Sequence, residues 1–149
     1  MIVVDTSVFI DTIFRFDENR YNLMRKIFRF VQNAGLSMVA PETFKVELIG
    51  QLVRRTKRDE AFRIYSSVMG HVDTVNIERL REVAFSVASE TGCRAIDSYF
   101  IAAAKVTNSV LITNDRIMAN NAEKYGIEAY YLIGEFDEAL DELKKLKHD

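Results

Sequence analysis

Short β-branched runs alternate with longer stretches of helical spacing along this chain. Ile2-Val3-Val4 is continuously apolar, as a strand buried on both faces requires. Thr6 to about Phe14 reads as helical, and Phe16 to Asn19 as a polar break. From Tyr21 to Ala34 the residues Leu23, Ile27, Phe30 and Val31 recur at helical spacing, and Gly35 supplies a stop. Leu36 to Ala40 is the second strand candidate. Pro41 is expected in the first turn of a helix running to about Thr56, paired in a hairpin with a helix from about Asp59 to Met69. Val72 to Val75 is a third strand. Ile77, Leu80, Val83, Ala84, Val87 and Ala88 then mark an amphipathic helix. After a connection at Glu90 to Arg94, Ile96 to Val106 is apolar on nearly every side and predicts a buried central helix. Val110 to Thr113 is a fourth strand, and a helix from about Asn114 to Tyr125 ends at Gly126. Glu128 to Leu132 is a fifth strand, and Glu135 to Lys147 an exposed terminal helix. Strands alternating with helices predict an α/β fold, a parallel sheet covered on both faces, in a single domain over residues 1–149.

Composition changes little in this picture. The chain has 149 residues, 48% apolar and 28% charged, which is globular and not disordered. No repeat or low-complexity segment is visible. Cys93 is the single cysteine, so no internal disulfide forms. Asp5 and Asp11 interrupt the apolar stretch that a secretory leader needs, and the longest apolar run, Tyr99 to Ala104, is far short of the ~20 residues that span a bilayer. The expectation is a soluble cytoplasmic protein with no membrane association. A net charge of −2 provides no global attraction to nucleic acid, so any such binding must come from local patches.

Four acids stand where solubility does not require them. Asp5 closes the first strand, Glu47 lies in the helix after Pro41, Asp97 opens the apolar helix, and Asp115 follows the fourth strand. In open α/β sheets ligands bind outside the carboxyl ends of the strands, where Asp5 and Asp115 fall. Clustered carboxylates suit a hard divalent cation, Mg²⁺ or Mn²⁺. The competing reading is capping, since Asp5, Asp97 and Asn114-Asp115 all lie near helix starts. Glu47 sits about 60° from Phe44, on the flank of the Phe44/Leu48/Leu52 stripe, where a surface glutamate is the plain alternative. Glu42 reads as a first-turn acid complementing the helix dipole, and Asp11 as a solvated position with a lesser chance of supporting the site.

The rest of the inventory narrows the chemistry. His71 and His148 are the only histidines, which supplies a paired-histidine ribonuclease poorly. No Walker A, G-x-G-x-x-G or G-x-S-x-G pattern occurs. A receiver-like domain would want an acceptor aspartate after its third strand, which ends here in Thr74-Val75-Asn76. Basic residues gather at Arg54, Arg55, Lys57 and Arg58, either as a solvated face or as phosphate contacts beside an acidic site. Arg94 and Arg116 each lie next to a candidate acid. The aromatics read as core, with Tyr99 held open as a base-stacking residue.

The segments VVDTSVFID, PETFKVEL, RAIDSYFIAAA and LITNDRIMANNAEKYGI, in this order and spacing, resemble the PIN domain family, and in length the VapC-type toxins. The resemblance implies a three-layer α/β/α fold with a five-stranded parallel sheet in order 3-2-1-4-5. It implies Mg²⁺- or Mn²⁺-dependent endoribonuclease activity, with Asp5, Glu47, Asp97 and Asp115 as metal-binding and catalytic acids. Thr6, Ser7, Thr113 and Asn114 fall at supporting positions, and Arg54, Arg55, Arg94 and Arg116 are candidates for substrate binding. The expected partners are RNA, an antitoxin protein and a second copy of the chain. The alternative is a catalytically silent module that binds RNA or protein.

Overall fold

In the computed structural model, which describes residues 1–148, five parallel strands form one sheet in the order β3-β2-β1-β4-β5. The strands are β1 (Ile2–Val4), β2 (Met38–Pro41), β3 (Val72–Val75), β4 (Val110–Thr113) and β5 (Ala129–Tyr131). The helices are α1 (Thr6–Ile13), α2 (Glu18–Ala34), α3 (Thr43–Val53), α4 (Arg58–Met69), α5 (Ile77–Thr91), α6 (Ala95–Thr107), α7 (Arg116–Lys124) and α8 (Phe136–Leu146). Successive strand residues point to opposite faces. Ile2, Val3 and Val4 are all buried, as are all four residues of β4, so helices cover both faces of the sheet. β1 is central: Ile2 lies opposite both Met38 and Val110, and Val3 opposite both Val39 and Leu111.

Three local readings change. Pro41 ends β2 and does not open α3; it lies opposite Val75 at the strand's last position, where a missing N–H costs no ladder bond. Glu42 then precedes α3, and its carboxylate reaches across to accept from the Ile77 N–H at 3.3 Å, tying the starts of α3 and α5 together. The terminal helix is not simply exposed. Ala139 and Leu143 are fully buried, because α8 lies against α2 and β5 and closes that side of the core. The stops behave as read: Gly35 and Gly126 adopt φ of 66° and 87°, values that side chains with a Cβ rarely take. Among the described residues no helix is long and apolar enough to cross a membrane.

Three rings join the helices that bear the acids. Phe9 on α1 and Phe44 on α3 have centroids 5.3 Å apart, and Phe44 meets Phe100 on α6 edge-on at 6.3 Å. Phe44 and Phe100 are completely buried. Truncating such a ring removes its transfer energy and leaves a cavity, together about 3–5 kcal/mol. Phe44→Ala is therefore expected to lower stability by that amount in urea unfolding, while Phe44→Leu loses less than half of it. A loss under about 1 kcal/mol for the alanine variant would show that Phe44 does not hold these helices together.

Candidate active site

Because β1 and β4 pair with Val4 opposite Ile112, the turns after them leave the sheet side by side. The Asp5 N–H still donates to the Ile112 carbonyl at 3.0 Å, which brings Asp5 against Thr113. Asp5 is 4% exposed and caps nothing at α1. Its Oδ2 accepts from Ser7 Oγ at 2.6 Å and from Thr113 Oγ1 at 2.8 Å. Each hydroxyl is aimed in turn: the Asn114 N–H donates to Ser7 Oγ at 3.0 Å, and the Asp115 N–H to Thr113 Oγ1 at 2.9 Å. Ser7 on α1 and Thr113 at the end of β4 thus fix one oxygen of the carboxylate after β1, and the backbone after β4 holds both hydroxyls in place.

The other acids come from helices. Phe44, Leu48 and Leu52 form the buried stripe of α3, with Glu47 half-buried on its flank as the spacing predicts. Asp97 sits in the first turn of α6, 4% exposed, and is not the cap; Arg94 holds the cap position. Asp115 is a cap: its Oδ1 accepts from the N–H groups of Ile117 at 2.9 Å and Met118 at 3.2 Å. Its Oδ2 points elsewhere, to Arg94 Nη2 at 3.2 Å, while Arg94 Nε donates to Asp97 Oδ2 at 3.3 Å. The capping reading therefore holds for Asp115 and fails for Asp5 and Asp97.

Asp5, Ser7, Glu47, Gln51, Arg94, Asp97 and Asp115 line one open pocket of about 320 Å³. Four carboxylates share it with a single guanidinium. Burial, the largest cause, pushes the Asp5 carboxyl up to about 6; Glu47 and Asp97 push the same way, while the Ser7 and Thr113 hydroxyls oppose. Burial also raises Glu47 and Asp97, and in both Arg94 acts against it. Thr6 Oγ1 is buried without a partner at hydrogen-bond distance, yet it lies close enough to Glu47 to favour the charged form. Oxygen-only donors with unmet negative charge are chemistry suited to a hard cation. As the side chains lie, among the described residues no three His, Cys, Asp or Glu stand close enough to grip one ion together. Arg94 spans Asp97 and Asp115 and provides the positive charge.

Other candidates lie outside the pocket lining. Asn114 does not cap α7; its Nδ2 donates to Asp11 Oδ2 at 2.7 Å, and this bond replaces the expected solvation of Asp11 with a role in holding the β4 turn. Arg116 is exposed and lies over the Tyr131 ring, 5.1 Å from its centroid. Arg54 and Arg55 donate back to the carbonyls of Gly50 and Gln51. Gln51 was not anticipated, although it stands one turn after Glu47 and so shares its face. A second cavity, of about 340 Å³, lies between α1, α2 and α4; Phe9, Ile13, Phe28 and Val68 line it, and it contains no carboxylate.

The PIN domain family matches residues 2–124, which takes in all four acids. The chain belongs to the PIN domain family. Members are generally nucleases and generally use divalent metal ions. Two solved structures show the fold. One is a toxin–antitoxin complex from Klebsiella pneumoniae, with TM-score 0.55, 13% identity, and coverage of 77% of this chain and 87% of that one. The other is PAE2754 from Pyrobaculum aerophilum, with TM-score 0.58, 20% identity, and coverage of 85% and 81%. No curated protein matches the chain.

The electrostatics of this PIN domain predict an unusual pH profile without metal. Asp5 holds its proton more tightly folded than unfolded, rising from 3.8 to about 6. Its contribution is complete below pH ~4 and is lost as pH rises through ~6, a change of about 3 kcal/mol. Glu47 and Asp97 shift in the same direction. In chelator, the melting temperature of the parent should fall between pH ~4 and ~6 relative to that of Asp5→Asn. Parallel profiles for the two proteins would show that Asp5 carries no such penalty.

Proposed function

We propose that this PIN domain is a Mg²⁺- or Mn²⁺-dependent endoribonuclease, and that it serves as the toxin of a VapBC-type toxin–antitoxin pair. The observation that carries the proposal is the convergence of Asp5, Glu47, Asp97 and Asp115 on one pocket at the carboxyl ends of β1 and β4. These four acids would hold the metal, which when bound supplies activation of water and charge stabilisation at the phosphate. The chain's own work is positional. Ser7 and Thr113 fix the rotamer of Asp5 through Oδ2, and Asp5 lines the pocket. The Asp115 cap bond fixes Oδ1 and presents Oδ2.

Arg94 can exchange its two carboxylates for a substrate phosphate, and Arg54 and Arg55 stand ready to contact phosphates further along. No histidine or cysteine lines the pocket, and the reaction proposed is direct hydrolysis by water that leaves a 5′ phosphate. Arg116, stacked on Tyr131, would meet RNA only at the rim. The likeness to a toxin–antitoxin complex supports an antitoxin partner for this chain. Val46 and Val53, exposed on the α3–α4 hairpin, support a homodimer through that face. The second reading, a silent binding module, draws on Arg94, which already neutralises two of the four acids.

Asp5→Asn and Asp97→Asn should each abolish metal-dependent cleavage of a mixed RNA pool while keeping the fold; activity within about threefold of the parent in either variant rejects the assignment. Thermal melts separate the two readings. An ion at ~100 times its Kd stabilises the native state by about 2.7 kcal/mol, a shift of several degrees for a domain of this size. The parent should shift with Mn²⁺ and Asp97→Asn should shift much less. A parent that does not respond to millimolar Mn²⁺ identifies a silent module.

A further inference from the structure

Most of the aromatic side chains pack in or against the core, the partly buried Tyr99 among them. Phe16 is different. It lies between α1 and α2, is 66% exposed, and its ring stacks on Phe14 with centroids 5.6 Å apart and planes 18° from parallel. Phe14 is itself packed against the core, so the exposed ring rests on an anchored one. The Arg55 guanidinium stands 5.9 Å from the Phe16 centroid. Arg55 in turn donates to the Gln51 carbonyl at 2.9 Å, and Gln51 lines the acidic pocket. Glu47 and Arg55 are eight residues apart on α3 and its last turn, about 12 Å along the axis. One strip of surface therefore runs from the carboxylates through Gln51 to Arg54, Arg55 and Phe16. Arg54 is close enough to Glu47 to favour its charged form.

We propose that Phe16 is a stacking platform for a nucleobase of single-stranded RNA, with Arg54 and Arg55 taking the adjoining phosphates. The proposal rests on the nuclease reading of the acidic pocket and adds a base-binding site to it. Charge complementarity selects the occupant. Among the described residues Arg54 and Arg55 form no ion pair, whereas the nearby acids are committed: Asp17 caps α2 through the Arg20 N–H, and Glu18 pairs with Arg15 at 2.6 Å. A protein partner would call for a wider apolar patch: Phe16 rests on Phe14, but Arg15 and Asp17 flank it along the chain and Arg55 stands beside its ring. A flat ring with a cationic edge suits an unstacked base beside its phosphate, and such stacking tolerates any base identity.

The test uses a short fluorescein-labelled oligoribonucleotide containing 2-aminopurine, with chelator present to prevent cleavage. Phe16→Leu keeps an apolar side chain without an aromatic face. It should weaken binding about fivefold or more and abolish the quenching of 2-aminopurine, while leaving the salt dependence as in the parent. Phe16→Trp should restore both affinity and quenching. Arg55→Ala should weaken binding and flatten the salt dependence. Thermal melts should be unchanged for both Phe16 variants, since the ring is exposed. If Phe16→Leu binds and quenches as the parent does, the stacking site is overturned and the acidic pocket's reading stands. If the parent itself binds no RNA at low salt, the stacking site is overturned, while the metal-dependent reading of the pocket is judged by the cleavage and Mn²⁺ melts. If Phe16→Leu leaves RNA binding intact but alters the mass in solution, Phe16 is a protein contact and the proposal is wrong.

Discussion

The contact of Phe44 with Phe9 and Phe100 is the constraint on which the site's geometry rests. Backbone hydrogen bonds fix only part of that geometry. Asp5 and Asp115 follow two paired strands, so the sheet register alone brings them near each other. Glu47 and Asp97 ride on helices, and no ladder bond ties those helices to β1 or β4. Their relative placement depends on three rings filling one volume at the densities of protein interiors. A helix carrying a half-buried glutamate has an electrostatic reason to move away from Asp5 and Asp97. Apolar packing opposes that drift, which is why Leu48 and Leu52, both fully buried, extend the contact along α3.

The pocket departs from the rules that stabilise most of the chain. Buried charges are ordinarily paired. Here two hydroxyl donors serve Asp5 and one guanidinium serves Asp97 and Asp115, and burial still outweighs them in raising the proton affinity of Asp5 and Asp97. Arg94 can offset little, because its side chain is 78% exposed and water screens its attraction. Strain of this kind, concentrated at the carboxyl edge of a parallel sheet, is what makes the pocket a candidate functional site.

Much of this was legible in the sequence because its signals are periodic or punctuated. The sheet followed from β-branched runs separated by helical spacing, and Glu47 followed from its angle to Phe44, Leu48 and Leu52. What escaped notice depends on three-dimensional partners. Pro41 reads equally well as a helix opener or a strand terminus, and only its position opposite Val75 decides. Asp11 looks solvated until Asn114, 103 positions away in the chain, is seen to donate to it. Asp97 has a capping residue's sequence context, but the helix begins two residues earlier, so its carboxylate turns to Arg94. The exposure of Phe16 had no periodic signal, since it lies in the break between α1 and α2.

Charge layout ties the proposed chemistry to the proposed binding. A phosphodiester approaching four carboxylates is repelled, and the repulsion is greatest at close range, where burial lowers the effective dielectric constant. Affinity for RNA must then come from outside the pocket, and with a net charge of −2 it cannot come from the protein as a whole. Arg54, Arg55 and Phe16 meet that need, because they begin one turn beyond the pocket wall at Gln51 and add a stacking contribution that salt does not screen. On this reading the domain holds its substrate by the flanks, and the phosphate at the centre is tolerated only when cations stand between it and the acids. Arg94, which already lies between Asp97 and Asp115, is the resident cation best placed to begin that exchange.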